Sequence, residues 1–373
     1  MKALYSHRQN TPKSWWYNVW IIPGAARGFF AIRDRKLHGF LRKRVSHMFS
    51  VTSLVTMETY IQSCMDVFMS KMSQFEAQGK TVEMGNWTNA LAFDVIGELG
   101  YGAMFGHMAT ESDVLNLRGD ILSGFKIFSR IGYLWGQWRL VLNPLVAALG
   151  PPPATTFADY TARQLQARKA DRNNTPAHDD EIIAEMFSVI GGGGDTTSIL
   201  MRACLFYVAT SPKVYATLRK EIDDFCGDRE PDRQIMYKET QTLPYLQAVI
   251  KESARLWPSI VWQLPRDSPL VALRLTANSM FRKATAPERW LQNEIQTRRM
   301  ELLSMTFGGN GPRACLGKNL ALMEVQLLIA RFIRGFDYEI VNKEHPWRVC
   351  SAWFASQNEM YIRLTRRGFD SAK

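Results

Sequence analysis

At 373 residues the chain is long enough for one large domain or two ordinary ones, and 46% hydrophobic against 22% charged residues excludes a mainly disordered chain. Forty-six Lys and Arg against 35 Asp and Glu give a formal charge of +11, which suits an anionic membrane surface or an acidic protein partner; without zinc-finger spacing or an RNA-binding signature, nucleic acid is set aside. The five cysteines (Cys64, Cys204, Cys226, Cys315 and Cys350) are odd in number and widely spaced, which speaks against a disulfide framework and for a reducing compartment.

In chain order, Met1 to Lys13 is polar and carries no apolar run, so it reads as neither signal peptide nor membrane anchor. A dense basic stretch runs from Arg33 to Arg44. Apolar spacing predicts a helix over Leu54–Phe75 and a second over Trp87–Leu99, closed by Gly100 and Gly102. Ser112 is the expected N-cap of a helix running to Phe128. Tyr133 to Leu149 is the best stretch for membrane contact, but Arg139 and Pro144 interrupt it, and a core helix or apolar loop is the favoured reading. Gly150 to Pro153 is a stiff loop before a helix over Phe157–Lys169, and Arg172 to Asp180 is a polar surface connection.

Glu181 to Ala209 reads as a long apolar helix broken by four glycines, Gly191 to Gly194. Pro212 opens a further helix, and Leu243–Leu256 forms another that ends before Pro258. Leu302 to Gly311 is Gly-rich, and Cys315–Gly335 closes the series of helices. Strand signals are few, with Glu359–Thr365 the best, and no repeat is visible. The expected architecture is a single domain over residues 1–373, mainly α with a small β part.

The chemistry concentrates at Cys315. Gly308, Gly309, Gly311 and Pro312 make a tight loop that presents one cysteine just before a helix. The helix dipole and nearby backbone N–H groups favour a thiolate there, and Arg313 adds a cation. Gly317 lets the backbone lie against a flat ligand. A flexible loop with a buried free cysteine is the bland alternative.

This loop resembles the F-x-x-G-x-R-x-C-x-G signature of the cytochrome P-450 superfamily. Gly311, Arg313, Cys315 and Gly317 fall in register, whereas Phe307 lies one residue too far out, as if the stretch Gly308–Asn310 held one extra residue. Further matches follow the family's order. Gly192-Gly193-Gly194-Asp195-Thr196-Thr197 resembles the oxygen-binding helix, in which Thr196 would hold water at the oxygen site and Asp195 would relay protons; close helix packing is the alternative reason for its glycines. Glu252 and Arg255 resemble the E-x-x-R pair, and Pro287-Glu288-Arg289-Trp290 the element whose Arg closes a network with it. His38, where Trp is more usual, and Arg42 resemble the helix that contacts a haem propionate, and Arg266 matches a second propionate-binding Arg.

The resemblance covers nearly the whole chain and implies a fungal, microsomal-type haem-thiolate monooxygenase. Cys315 would be the axial ligand of haem b, inserting one oxygen atom from O₂ into a lipophilic substrate of secondary metabolism. It also implies an NADPH-dependent reductase as electron donor, docking on Arg33–Arg44, and a place at the endoplasmic reticulum membrane. Two departures are expected. The family's N-terminal anchor, helix and strands are absent, which leaves a cytoplasmic location open. In addition, Leu270 to Ala286 has no Gly or Pro where the family has a strand pair. A non-catalytic haem-binding remnant and a reductase-independent isomerase or dehydratase are the other readings. Asp195 and Thr196 argue against the second of these.

Overall fold

The structure, a computed structural model, describes residues 11–20, 28–134, 143, 145, 159–164, 166, 179–227, 233–261, 264–267 and 285–368. The predicted Gly150–Pro153 loop, the segment 268–284 and nearly all of the 135–149 and 172–178 stretches lie outside them. No described helix is long and apolar enough to cross a membrane.

Helix α1, Arg35–Ser46, is capped by Asp34, whose carboxylate accepts the Leu37 N–H at 2.7 Å, and ends on Lys43 and Arg44, the favourable polarity for its dipole. The single helix expected over Leu54–Phe75 is in fact two. Helix α2, Val51–Thr56, stops at Met57 (φ −102°, ψ 5°), and α3, Glu58–Ala77, begins directly after it. Helix α4, Met84–Tyr101, starts where Glu83 accepts the N–H groups of Gly85 (3.0 Å) and Asn86 (2.6 Å), and ends at Gly102 in the left-handed region, φ 76°. Helix α5, Leu117–Ile131, is held at its start by Asp113 and not by the predicted Ser112: the Asp113 carboxylate accepts from Arg118 N (3.0 Å) and Gly119 N (2.8 Å).

Helix α6, Asp179–Ala209, is continuous through Gly191–Gly194, so the expected break does not occur. The glycines admit its neighbour. A Cβ at Gly193 would lie 2.4 Å from Ile96 Cδ1, and one at Gly194 2.3 Å from the Phe93 ring, both on α4. Helices α7, Pro212–Cys226, and α8, Pro244–Leu256, each start on proline. Helix α9, Glu294–Leu303, not anticipated, is capped by Asn293. Helix α10, Lys318–Gly335, is buried along almost its whole length and forms the centre of the main core with the inner faces of α3, α6 and α8.

Strand β1, Val82–Glu83, and strand β2, Phe336–Ile340, flank β5, Tyr361–Arg366, in a three-stranded antiparallel sheet, with Val82 opposite Ile362 and Asp337 opposite Thr365. Strands β3, Arg348–Ser351, and β4, Ala355–Asn358, form a separate antiparallel pair. Their connecting residues carry Trp353 and Phe354 into a second, aromatic cluster with Trp16, Tyr17, Phe93 and Phe125, in which the Trp16 and Trp353 rings stack at 5.6 Å.

Candidate active site around Cys315

The loop leading to Cys315 absorbs its extra residue through backbone conformation. Phe307, Gly308 and Gly309 all take positive φ (58°, 76° and 77°), and the chain turns back so that the Cys315 N–H donates to the Phe307 carbonyl at 2.7 Å. Ala314 N–H closes a second turn on Gly311 O at 2.9 Å. Gly308 is required by its left-handed φ; a Cβ there would make only an ordinary contact, 3.4 Å, with Arg313 O. The Phe307 side chain is partly buried against the main core despite its offset in sequence.

The Cys315 residue is exposed, three positions before α10. Protein packed around its sulfur raises the thiol pKa, and that effect outweighs the backbone N–H of Gly317, the Arg42 and Lys318 charges and the backbone N–H of Lys318, all of which lower it. The balance therefore differs from the sequence expectation of a thiolate favoured by the protein alone. The cations acting on the sulfur are Arg42 and Lys318, not Arg313. A Cβ at Gly317 would meet no atom within 4 Å, so the backbone there has an open side.

Beside the loop the structure brings together His38, Arg42, Arg266 and Arg313, and adds Lys13, which no motif singled out. Lys13, 5% exposed, donates to the Phe30 carbonyl and lies opposite Arg266 in a short antiparallel bridge, flanked by Ser14 N to Pro265 O (3.2 Å) and Asp267 N to Pro12 O (3.1 Å). Burial, followed by the charges of Arg313, Arg266 and Arg42, holds the Lys13 amine well below its ordinary pKa. Burial and the same kind of cationic neighbours push His38 down to about 3, so it is neutral near pH 7, and Arg313 down to about 10. Arg313 reaches Ile32 O at 3.4 Å through Nη1, but its buried Nε and Nη2 find no hydrogen-bond partner among the described residues. A cluster of cations that repel one another and leave buried N–H groups unused fits an anionic ligand. With an exposed cysteine and an open glycine backbone alongside, these residues fit haem, a flat group with two carboxylates.

On α6 the two residues matched to the oxygen-binding motif face different ways. Thr196 lies on the more open side and donates its hydroxyl to Gly192 O, one turn back, at 2.5 Å; a Cβ at Gly192 would meet nothing within 4 Å. Asp195 is 7% exposed and turned toward α4, where Asn89 donates to its Oδ1 at 2.9 Å while Oδ2 finds no partner among the described residues. Burial pushes its carboxyl up to about 6 against the lowering influence of Arg202, Asn89 and Arg118. Phe125 of the aromatic cluster comes within 3.3 Å of a Cβ placed at Gly191.

Glu252, Arg255 and Arg289 meet. Arg255 grips the fully buried Glu252 carboxylate with two hydrogen bonds, Nε to Oε2 at 2.9 Å and Nη2 to Oε1 at 2.8 Å, and Arg289 Nε lies 3.1 Å from Oε1. Two donors add to this that sequence reasoning missed, Trp290 Nε1 (3.1 Å) and the Ala286 N–H (3.2 Å). Burial alone would raise the Glu252 pKa, but hydrogen bonds from Arg255 and Trp290 reverse it and hold the carboxylate below its ordinary range.

A mainly helical domain that sets an exposed cysteine beside a cluster of cations fits a haem-thiolate class of protein. The family model described as Cytochrome P-450 matches residues 153–269 and 283–362, and the chain belongs to that family. Cytochrome P-450 monooxygenase cicH of Emericella nidulans is 26% identical over 98% of this chain and 82% of its own length. A pisatin demethylase of Fusarium vanettenii is 24% identical over 95% of this chain and 77% of its own length. A crystal structure of cytochrome P-450 CYP102L1 superposes with a TM-score of 0.75 at 16% identity, covering 95% of this chain and 85% of that one, a likeness of fold. The protein is accordingly an oxidoreductase of the cytochrome P-450 monooxygenase class, a class that works with a haem-thiolate centre, a redox partner and lipophilic substrates.

Proposed function

We propose that the protein binds haem b through Cys315 and oxygenates a lipophilic, aromatic-ring-bearing substrate of fungal secondary metabolism. The observation that carries this reading is the junction of an exposed Cys315 with the cluster of Lys13, His38, Arg42, Arg266 and Arg313, a concentration of positive charge in which Arg313 Nε and Nη2 find no partner among the described residues and which suits two propionates. When bound there, haem supplies the reductive activation of O₂ that lets one oxygen atom enter the substrate. The protein's part is positioning and proton control. The Thr196 hydroxyl, now on the Gly192 carbonyl, can turn to hold a water molecule on the open side of α6. Asp195, its carboxyl near half-protonated at about pH 6, takes protons from the α4 side and passes them toward that water. The rings of Phe125, Trp353 and Phe354, next to Gly191, supply an apolar wall for a flat substrate.

Electrons come, in this reading, from NADPH through a flavoprotein reductase at the endoplasmic reticulum surface. The outer face of α1 suits such a partner: Arg35, Lys36 and Lys43 are exposed there beside Leu37 and Phe40, whereas Arg44 is already bound to Glu181 at 2.8 Å. Lys43→Glu should slow reduction by reductase several-fold at low salt without changing the absorption spectrum. An unchanged rate would remove α1 from the docking surface.

The decisive test is the absorption spectrum of the dithionite-reduced protein with carbon monoxide, beside Cys315→Ala. A strongly red-shifted Soret band that the substitution abolishes is expected. No haem, or one spectrum shared by both proteins, would leave only a chain without a haem-thiolate centre.

A further inference from the structure

The glycines of α6 report what packs on each side of that helix. Gly191 meets Phe125 of α5, and Gly193 and Gly194 meet Ile96 and Phe93 of α4, whereas a Cβ at Gly192 would meet nothing within 4 Å. Glu185 lies seven residues before Gly192 and eleven before Thr196, close to two and three whole turns. It therefore leaves the helix on the same side as Gly192 and Thr196, the side on which the oxygen site is proposed. The segment at Gly28 borders this stripe, since a Cβ there would lie 2.4 Å from Ser188 Oγ.

Glu185 is 6% exposed, and neither of its carboxyl oxygens has a hydrogen-bond partner among the described residues. Two groups do favour its charged form, the Phe29 N–H and the Arg44 guanidinium, but neither bonds to it: the first falls short of hydrogen-bond geometry, and the second is held by Glu181 at 2.8 Å. Burial outweighs both, the Glu181 charge adds to it, and the carboxyl is pushed up to about 7. Glu252 shows the contrast. That buried carboxylate serves the fold, is met by Arg255, Arg289, an indole N–H and an amide N–H, and stays below its ordinary range. A carboxyl buried without such donors costs stability, and the fold gains no contact from it.

We propose that Glu185 is a specificity-determining residue that binds a basic amine on the substrate. The inference rests on the oxygenase reading above and narrows its substrate class. An ammonium group supplies both the missing positive charge and several N–H donors for the two idle oxygens, whereas a hydroxyl brings one donor and no charge. A rise of about 1.5 Å per residue sets Glu185 about 10 Å along the helix from Gly192 and about 16 Å from Thr196. The amine is thus held at the end of the substrate remote from the oxygen site.

The test is equilibrium dialysis of three probes against the full, haem-loaded chain: naphthylethyl-dimethylamine, naphthylethanol and naphthylethyl methyl ether. The three share one ring system and differ in offering a cationic donor, a neutral donor or none, and the crowded tertiary nitrogen is a poor ligand for iron. The amine should bind about tenfold more tightly than either neutral probe. Glu185→Gln and Glu185→Leu should both bring it down to the level of the ether while leaving the ether unchanged. An alcohol held as tightly as the amine, or an amine preference that both variants keep, overturns the assignment. The spectrum of the reduced protein with carbon monoxide is recorded on the same samples. A red-shifted Soret band without an amine preference overturns the role of Glu185 alone. An amine preference lost in both variants, in a chain without that band, upholds Glu185 as an amine anchor and overturns the oxygenase reading.

Discussion

The sharpest consequence of burial at a single residue concerns Asp195. Its folded carboxyl is pushed up from 3.8 to about 6, so the charged form is disfavoured inside the fold. For an acid shifted upward, the full contribution to stability is present below the unfolded value. It is lost as pH rises through the folded value. Between about pH 4 and pH 6 the protein should therefore lose about 3 kcal/mol on account of this one group, and above that range the loss is complete. Asp195→Asn removes the penalty while still offering an oxygen to Asn89. Its denaturation midpoint should exceed that of the wild type at pH 7.5 and converge with it near pH 4. Turnover should fall about a hundredfold, because the amide cannot carry protons. Equal midpoints across the range would mean that Asp195 is not charged and buried as described. A gain in stability with full turnover would remove it from the proton route.

At the scale of elements, α6 shows how one glycine run answers to two demands. Gly193 and Gly194 let α4 approach, while Gly192 faces open space one turn from Thr196. Gly194→Ala should destabilise by about 1–3 kcal/mol, since its Cβ would enter the Phe93 ring, whereas Gly192→Ala should stabilise by up to about 1 kcal/mol through helix propensity alone. Chemical denaturation of the two variants separates them, and equal effects would contradict the packing. The longer helices were legible, because their apolar spacing runs over many turns, whereas α9 buries no residue and carries no such spacing. What escaped the sequence was short or remote. Met57 interrupts α2 and α3 with neither glycine nor proline to announce it. Ser112 and Asp113 are both good caps, and only the fold selects Asp113. Strands β2 to β4 are brief, and β2 starts at Phe336 directly after Gly335 ends α10, with no loop between them. Of the candidate site, each motif residue could be picked out singly. That Thr196 and Asp195 diverge, and that Trp290 joins Glu252, are matters of direction that linear spacing does not carry.

For the molecule as a whole, the groups around Cys315, four cations and the neutral His38, come from distant stretches and form the site proposed for one anionic guest. Lys13 comes from the N-terminal segment, His38 and Arg42 from α1, Arg266 from the strand paired with Lys13, and Arg313 from the cysteine loop. Lys13 could not be found by motif, since it reaches the site only through pairing with a segment more than two hundred residues away. Without an anion these groups repel one another, so apoprotein should be markedly less stable than haem-loaded protein, and the difference should fall on this face of the molecule. Lys13→Met tests the arrangement. If Lys13 holds a propionate as proposed, the substitution would remove one charge-assisted hydrogen bond, and the rate of haem loss to an acceptor protein should rise about tenfold. The same substitution strips the Phe30 carbonyl of its donor, which would weaken the fold with or without haem. Lys13→Arg resolves the two effects, because it restores the charge beside Arg266 whatever it does to the Phe30 contact. Slow haem loss in Lys13→Arg and fast loss in Lys13→Met would place Lys13 among the groups that hold the prosthetic group. Equal rates in all three proteins would reduce it to a brace between the N-terminal segment and Arg266.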